Sequence, residues 1–144
     1  MFYPELINFL SSDGDIAATV SSYSDEIGSY PAIFSDEAPE SAVKPYIVVR
    51  ITSDKLSDSV IMTSDVYIDY YDYNKSRIKS DSAARAVVDR LDTISIISEN
   101  LTDIRFSLNS EGYITRSGGD PRDIHHNSAF STRAARSGWM RRTL

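Results

Sequence analysis

Between Tyr46 and Tyr73 the chain alternates apolar and polar positions, the pattern of strands with one buried side. Ile47, Val49 and Ile51 fall on one face, and Tyr46, Val48, Arg50 and Thr52 on the other. The polar stretch Ser53–Ser59 predicts a turn. A second strand follows from about Val60 to Tyr73, with Val60, Met62, Val66, Ile68 and Tyr70 on one face. Ile61, Thr63, Asp65, Tyr67, Asp69, Tyr71 and Tyr73 take the opposite face. A strand of that length would extend roughly 46 Å, against the usual 5–6 residues or about 20 Å. It has to bend, break at a bulge, or project past its own core as a hairpin arm.

Helical spacing takes over elsewhere. Pro4 suits the first turn of a helix, where its missing N–H costs nothing. Leu6, Ile7 and Leu10 form its apolar face and Gly14 is placed to end it. Ile16, Ala17, Val20 and Tyr23 repeat the spacing in a second, shorter helix. Ser24–Pro31 is a polar turn region, and Ile33-Phe34 is either a short strand or an anchor under the polar loop Ser35–Lys44. The strongest helix covers Ser80–Ile94, with Ala84, Val87, Val88, Leu91 and Ile94 as its stripe. Ser80 or Asp81 is the expected cap, and Asp81/Arg85 and Arg85/Asp89 are spaced as surface ion pairs.

Ile104, Phe106 and Leu108 then alternate with polar neighbours in a third strand, Asn109–Gly112 predicts a turn, and Arg116–Arg122 a glycine- and proline-containing loop. His126–Arg136 is expected as a fourth long strand, before a basic tail, about 137–144, holding Trp139, Arg141 and Arg142. Strands and helices are grouped rather than alternating, so the fold class is α+β. The expected architecture is an antiparallel or mixed four-stranded sheet with a long hairpin, packed on one side by helices, in a single domain spanning 1–144.

Composition sharpens this only in part. The chain has no cysteine, which excludes disulfides and thiolate metal sites. No apolar run approaches bilayer length. Met1–Glu5 lacks a basic leader, so no signal peptide and a cytoplasmic site of synthesis are expected. Residues 1–104 carry 8 Lys+Arg against 18 Asp+Glu, net −10; residues 105–144 carry 7 against 3, net +4. This is either an acidic domain with a solvated basic tail or a subunit whose basic end meets an acidic neighbour. Net acidity argues against general duplex binding.

Catalytic equipment is sparse. Asp65, Asp69 and Asp72 lie near one another in sequence, as carboxylates for Mg²⁺ do in nucleases. Asp65 and Asp69 share a face but sit about 13 Å apart along an extended strand, and Asp72 points the other way. A solvated or lumen-facing acidic surface is the plainer reading. His125 and His126 are adjacent, so strand geometry sends them to opposite sides. No metal-binding histidine spacing, nucleophile elbow or phosphate loop is present. An enzyme is not expected, and neither is a cofactor or metal. Four of the nine tyrosines, Tyr67, Tyr70, Tyr71 and Tyr73, cluster on the second strand. Tyrosine anchors interfaces because it buries a large area and keeps a polar tip; it also simply favours strands. Trp139, among Arg136, Arg141 and Arg142, is either a docking element or part of a frayed terminus.

Ala38-Pro39-Glu40, the strand-launching Pro45-Tyr46-Ile47-Val48-Val49, the helix around Ala83–Leu91, the strand Ile104–Leu108 and the closing strand His126–Arg133 follow in an order that resembles the tail-terminator, or tail-completion, proteins of long-tailed bacteriophages. The resemblance spans nearly the whole chain and rests on order and spacing. It implies a structural virion protein that forms a hexameric ring, caps the head-proximal end of the tail tube and ends its polymerisation. Its partners would be other copies of itself, the tail tube protein and a head-completion or connector protein. DNA would pass through the lumen without specific binding, and no membrane is involved. Ring assembly needs two different patches per subunit. Tyr67, Tyr70, Tyr71, Tyr73, Arg133, Arg136, Trp139, Arg141 and Arg142 are the candidates for subunit contacts. Asp36, Glu37, Glu40, Asp65 and Asp69 are the candidates for an acidic or lumen surface. A head-closure ring is the nearest alternative; a Mg²⁺-dependent nuclease and a small monomeric regulator or toxin are more distant ones.

Overall fold

The computed structural model describes residues 2–57, 61–98, 101–115 and 117–136. Helix α1 (Tyr3–Ser12) carries Pro4 in its first turn and buries Leu6 and Leu10. It ends at Ser12, two residues before the expected glycine. The Asp13 carboxylate accepts the N–H groups of Asp15 (3.0 Å) and Ile16 (3.1 Å) and so starts the single turn α2 (Gly14–Ala17).

The second helix expected through Tyr23 therefore stops early. Tyr23 lies instead in β1 (Ser22–Ser24), which pairs antiparallel with β2 (Ser29–Pro31). Asp25 closes the turn between them by accepting N–H bonds from Ile27 and Gly28, and the Tyr23 ring packs edge-on against Tyr30 and Phe34. These contacts outweigh a helical spacing that is only four positions long.

The main sheet has five strands rather than four, in the order β3-β4-β5-β7-β6. The addition is β3 (Ile33–Ser35), which runs parallel to β4 (Tyr46–Ser57) with Ile33 opposite Ile47. Burial of Ile33 and Phe34, and the Ile47 N–H donated to Ala32 (3.0 Å), hold it there. The remaining pairs are antiparallel: β4 with β5 (Ile61–Tyr73), β5 with β7 (Asp123–Arg136), and β7 with β6 (Leu101–Tyr113). The long strand β5 is not a projecting arm. β7 pairs with it from Ile61↔Ala135 to Tyr73↔Asp123, and the irregularity falls on β4, between Thr52 and Lys55. The turn expected at Asn109–Gly112 is strand as well; a bulge between Leu108 and Ser110 keeps β6 in register with β7.

Helix α3 (Ile78–Asp92) buries Ala83, Ala84, Val87 and Leu91. Ser80 and Asp81 do not cap it. Ser80 is buried one turn in, where its Oγ lies 2.9 Å from the Arg77 carbonyl oxygen and 2.8 Å from Tyr113 Oη. Asp81 accepts a hydrogen bond from Tyr113 Oη. The core lies between the helices and one face of the sheet. It includes Phe2, Leu6, Leu10, Ile47, Val49, Val66, Ile68, Leu91, Ile104 and Phe130. The architecture is α+β, with helices on one side and the opposite sheet face uncovered by any helix among the described residues.

Candidate functional site

The uncovered face presents the odd-numbered positions of β5 and β7, in rows fixed by strand register. Tyr46, Tyr71 and His125 form one row, Val48, Asp69 and Asn127 the next, Arg50, Tyr67 and Ala129 the third. Further along the strands come Asp65 with Ser131 and Ser107, then Thr63 with Arg133 and Arg105.

Asp69 is the hub of this face. Its side chain is 4% exposed, so it is not part of an open acidic surface. His125 Nε2 lies 2.7 Å from Asp69 Oδ1, Asn127 Nδ2 donates to the same oxygen at 2.8 Å, and Arg50 Nη2 stands 3.5 Å from Oδ2. A buried carboxylate needs such partners, since each lost hydrogen bond leaves a desolvated charge. The Arg50 guanidinium also lies over the Tyr67 ring, 5.0 Å from its centroid. The Tyr71 ring stacks on His125 at 4.3 Å and meets Tyr46 at 5.2 Å. Phe34 extends the aromatic row from β3. Arg50 and Asn127 were absent from the sequence candidates; the phase of the strand alternation is the signal that would have found them.

The other candidates are spread out. Tyr70 faces the core, 3% exposed, and its hydroxyl donates to the Thr19 carbonyl at 2.7 Å. Burial holds that hydroxyl well above the ordinary tyrosine range, and its place in the core leaves it unavailable to a neighbour. Tyr73 stands at the end of β5, 48% exposed, donating to Asp120 (2.9 Å) with Arg122 over its ring. Asp36, Glu37 and Glu40 are exposed on the loop after β3, at the other edge of the sheet from β6. Arg133 is exposed on β7 beside Asp65. The Arg136 side chain, Trp139, Arg141 and Arg142 lie outside the described residues.

His125 and His126 do point to opposite sides. His126 is not a surface residue, however: it is buried on the core face against the Tyr113 ring. Burial depresses its pKa below the ordinary imidazole value, against the opposing pull of Glu111 and Asp81. Asp72 also faces inward and is buried, so Asp65, Asp69 and Asp72 do not converge on a common point. Among the described residues no group of three His, Asp or Glu side chains is arranged to hold a metal ion.

No family model and no curated protein matches this sequence. A solved structure does. The chain is similar to one in the virion of a native gene transfer agent (GTA) particle, with 16% identity, a TM-score of 0.63 and 92% of each chain covered. The two chains share a fold across almost their full length.

The exposed face carries two hollows. One, about 480 Å³, adjoins the Tyr46–Tyr71–His125 row and is bordered by Lys44, Arg77, Ile114 and Asp123. The other, about 470 Å³, is lined by Arg105, Arg133, Asp65 and the hydroxyls of Thr63, Ser107 and Ser131. Such a face, with large rings, paired charges and shallow relief, is suited to contact with another macromolecule.

Proposed function

We propose that this chain is a structural protein of a phage-like virion, a ring-forming tail terminator that caps the head-proximal end of the tail tube and joins it to the head connector. The observation that carries the reading is the full-length fold likeness to a chain of a gene transfer agent virion. It agrees with the order of sequence elements that resembles tail-terminator proteins. The molecule is also equipped for a heterologous ring: its two sheet edges carry different chemistry, an acidic loop beyond β3 and the arginines of β6 and β7. In this reading the ring is a hexamer located at the tail–head junction and assembled in the host cytoplasm. DNA traverses it without specific contacts.

Native mass measurement and negative-stain imaging, with and without purified tail tubes of the same particle, test the proposal. Closed rings that bind tube ends and arrest tube growth are the expected result. Rings that bind the portal complex and ignore tube ends would assign the chain to head closure instead. A monomer indifferent to both would refute a role at the tail–head junction.

A further inference from the structure

We infer that the subunit contact in the ring is electrostatic and head-to-tail: the acidic loop after β3 of one copy seats in the arginine-lined groove on β6 and β7 of the next. This rests on the ring reading above and names the two surfaces that meet.

The groove, about 470 Å³, is lined by two arginines, one aspartate and five serine or threonine residues. Asp103 holds Arg105 in place, accepting from its Nε at 2.8 Å. Among the described residues Arg133 has no ion-pair or hydrogen-bond partner. A guanidinium offers five donors in a fork that matches a carboxylate, and the fork of Arg133 is open to one.

The loop offers them. Asp36, Glu37 and Glu40 bring three negative charges within five residues, with no basic residue before Lys44. Asp36 adopts a left-handed backbone (φ 65°). Its N–H donates to the Val49 carbonyl (2.8 Å), and its carboxylate accepts from Tyr3 Oη (2.6 Å). The loop is thereby held on the body of the protein. Among the described residues the Glu37 and Glu40 carboxylates have no ion-pair or hydrogen-bond partner.

Position supports the match. Tyr3, which holds Asp36, also bonds Ile51, in the row Ile51–Val66–Phe130–Leu108. The groove rows, Asp65–Ser131–Ser107 and Thr63–Arg133–Arg105, lie one and three residues further along β5, or roughly 3–10 Å. The groove spans β5, β7 and the edge strand β6, so it lies toward the sheet edge opposite the loop, at similar height. Rotation about an axis along the strands carries one onto the other, the requirement for a closed heterologous ring.

Sedimentation of the wild-type chain, Arg133→Glu, and the double variant Glu37→Lys/Glu40→Lys tests this, with circular dichroism to verify folding. Wild type should assemble, and each variant should weaken assembly by about tenfold or more, since like charges then face each other. Mixing the two variants should restore it, because alternating copies place opposite charges at every contact. Variants that assemble like wild type would overturn the inference and leave the ring reading intact. So would folded, weakened variants that fail to rescue each other on mixing. A wild-type chain that forms no ring, alone or on tube ends, would overturn both.

Discussion

The Asp69 carboxylate and the His125 imidazole meet at 2.7 Å on the uncovered side of the sheet, one residue on β5 and the other on β7. They are 56 positions apart in sequence and join the neighbouring strands β5 and β7 through side chains as well as backbone. Asn127 and Arg50 complete the cluster. Asp69→Ala should therefore lower the unfolding free energy by about 1–2 kcal/mol, because it removes the hydrogen-bond acceptor shared by the half-buried His125 and Asn127 side chains. Asp65→Ala, at a more open position of the same face, should change it by less than about 0.5 kcal/mol. Urea denaturation of both variants checks the contrast; equal effects would refute a special role for Asp69.

His126 makes the fold sensitive to mild acid. Its pKa in the folded state lies below the ordinary imidazole value because it is buried. The unfolded chain thus takes up the proton first as pH falls. Stability is full above the unfolded value of about 6.5 and declines as pH drops toward the folded value. Melting temperature should fall between about pH 7.5 and pH 5.5, on either side of that unfolded value. His126→Phe, which keeps a ring against Tyr113, should flatten this dependence. An unchanged slope in that variant would place the titration elsewhere.

Tyr3 serves as a strand edge. Its hydroxyl accepts the Ile51 N–H (2.7 Å) beyond the point where β3 ceases to pair with β4, and it contacts Asp36. Tyr3→Phe removes that acceptor and should cost about 1–2 kcal/mol. Amide hydrogen exchange should show faster exchange at Ile51, with little change at Val66, which pairs inside the sheet. Unaltered protection at Ile51 would show that the hydroxyl is not its main acceptor.

Tyr67 and Tyr70, three positions apart, should separate assembly from folding. Tyr70→Ala removes a core ring and its bond to Thr19, and should destabilise the fold by about 3–5 kcal/mol. Tyr67→Ala lies on the open face and should cost under about 1 kcal/mol while weakening assembly. Paired denaturation and sedimentation measurements decide this. Tyr67→Ala rings as tight as wild type would remove Tyr67 from the contact surface.

Much of this fold was legible in advance where a pattern is long. Thirteen residues of alternation specify β5 and its buried face, and the α3 stripe recurs over four turns. Short patterns failed. Ile16 to Tyr23 looked helical, yet Tyr23 found Tyr30 and Phe34, and the chain turned at Asp25. Ser80 looked like a cap, yet Tyr113, 33 residues away, gave its hydroxyl a buried partner. Asn109–Gly112 carries turn-forming residues, yet the neighbouring strand β7 supplied a ladder that kept it extended. In each case a contact distant in sequence outweighed a local preference worth a few tenths of a kcal/mol to about one.

The sequence by itself determined which positions of β4 and β5 face the core and that His125 and His126 part company, because side-chain alternation is a property of the strand backbone alone. It also determined the acidic and basic halves of the chain. Only the tertiary structure decided that the last strand enters between β5 and β6, and this placement assembles the site. It brings His125 and Asn127 to Asp69, and Arg133 to Arg105 and Asp65. Strand order depends on which edges pair once the core has collapsed. That choice is made by contacts between segments tens of residues apart, which no local periodicity encodes.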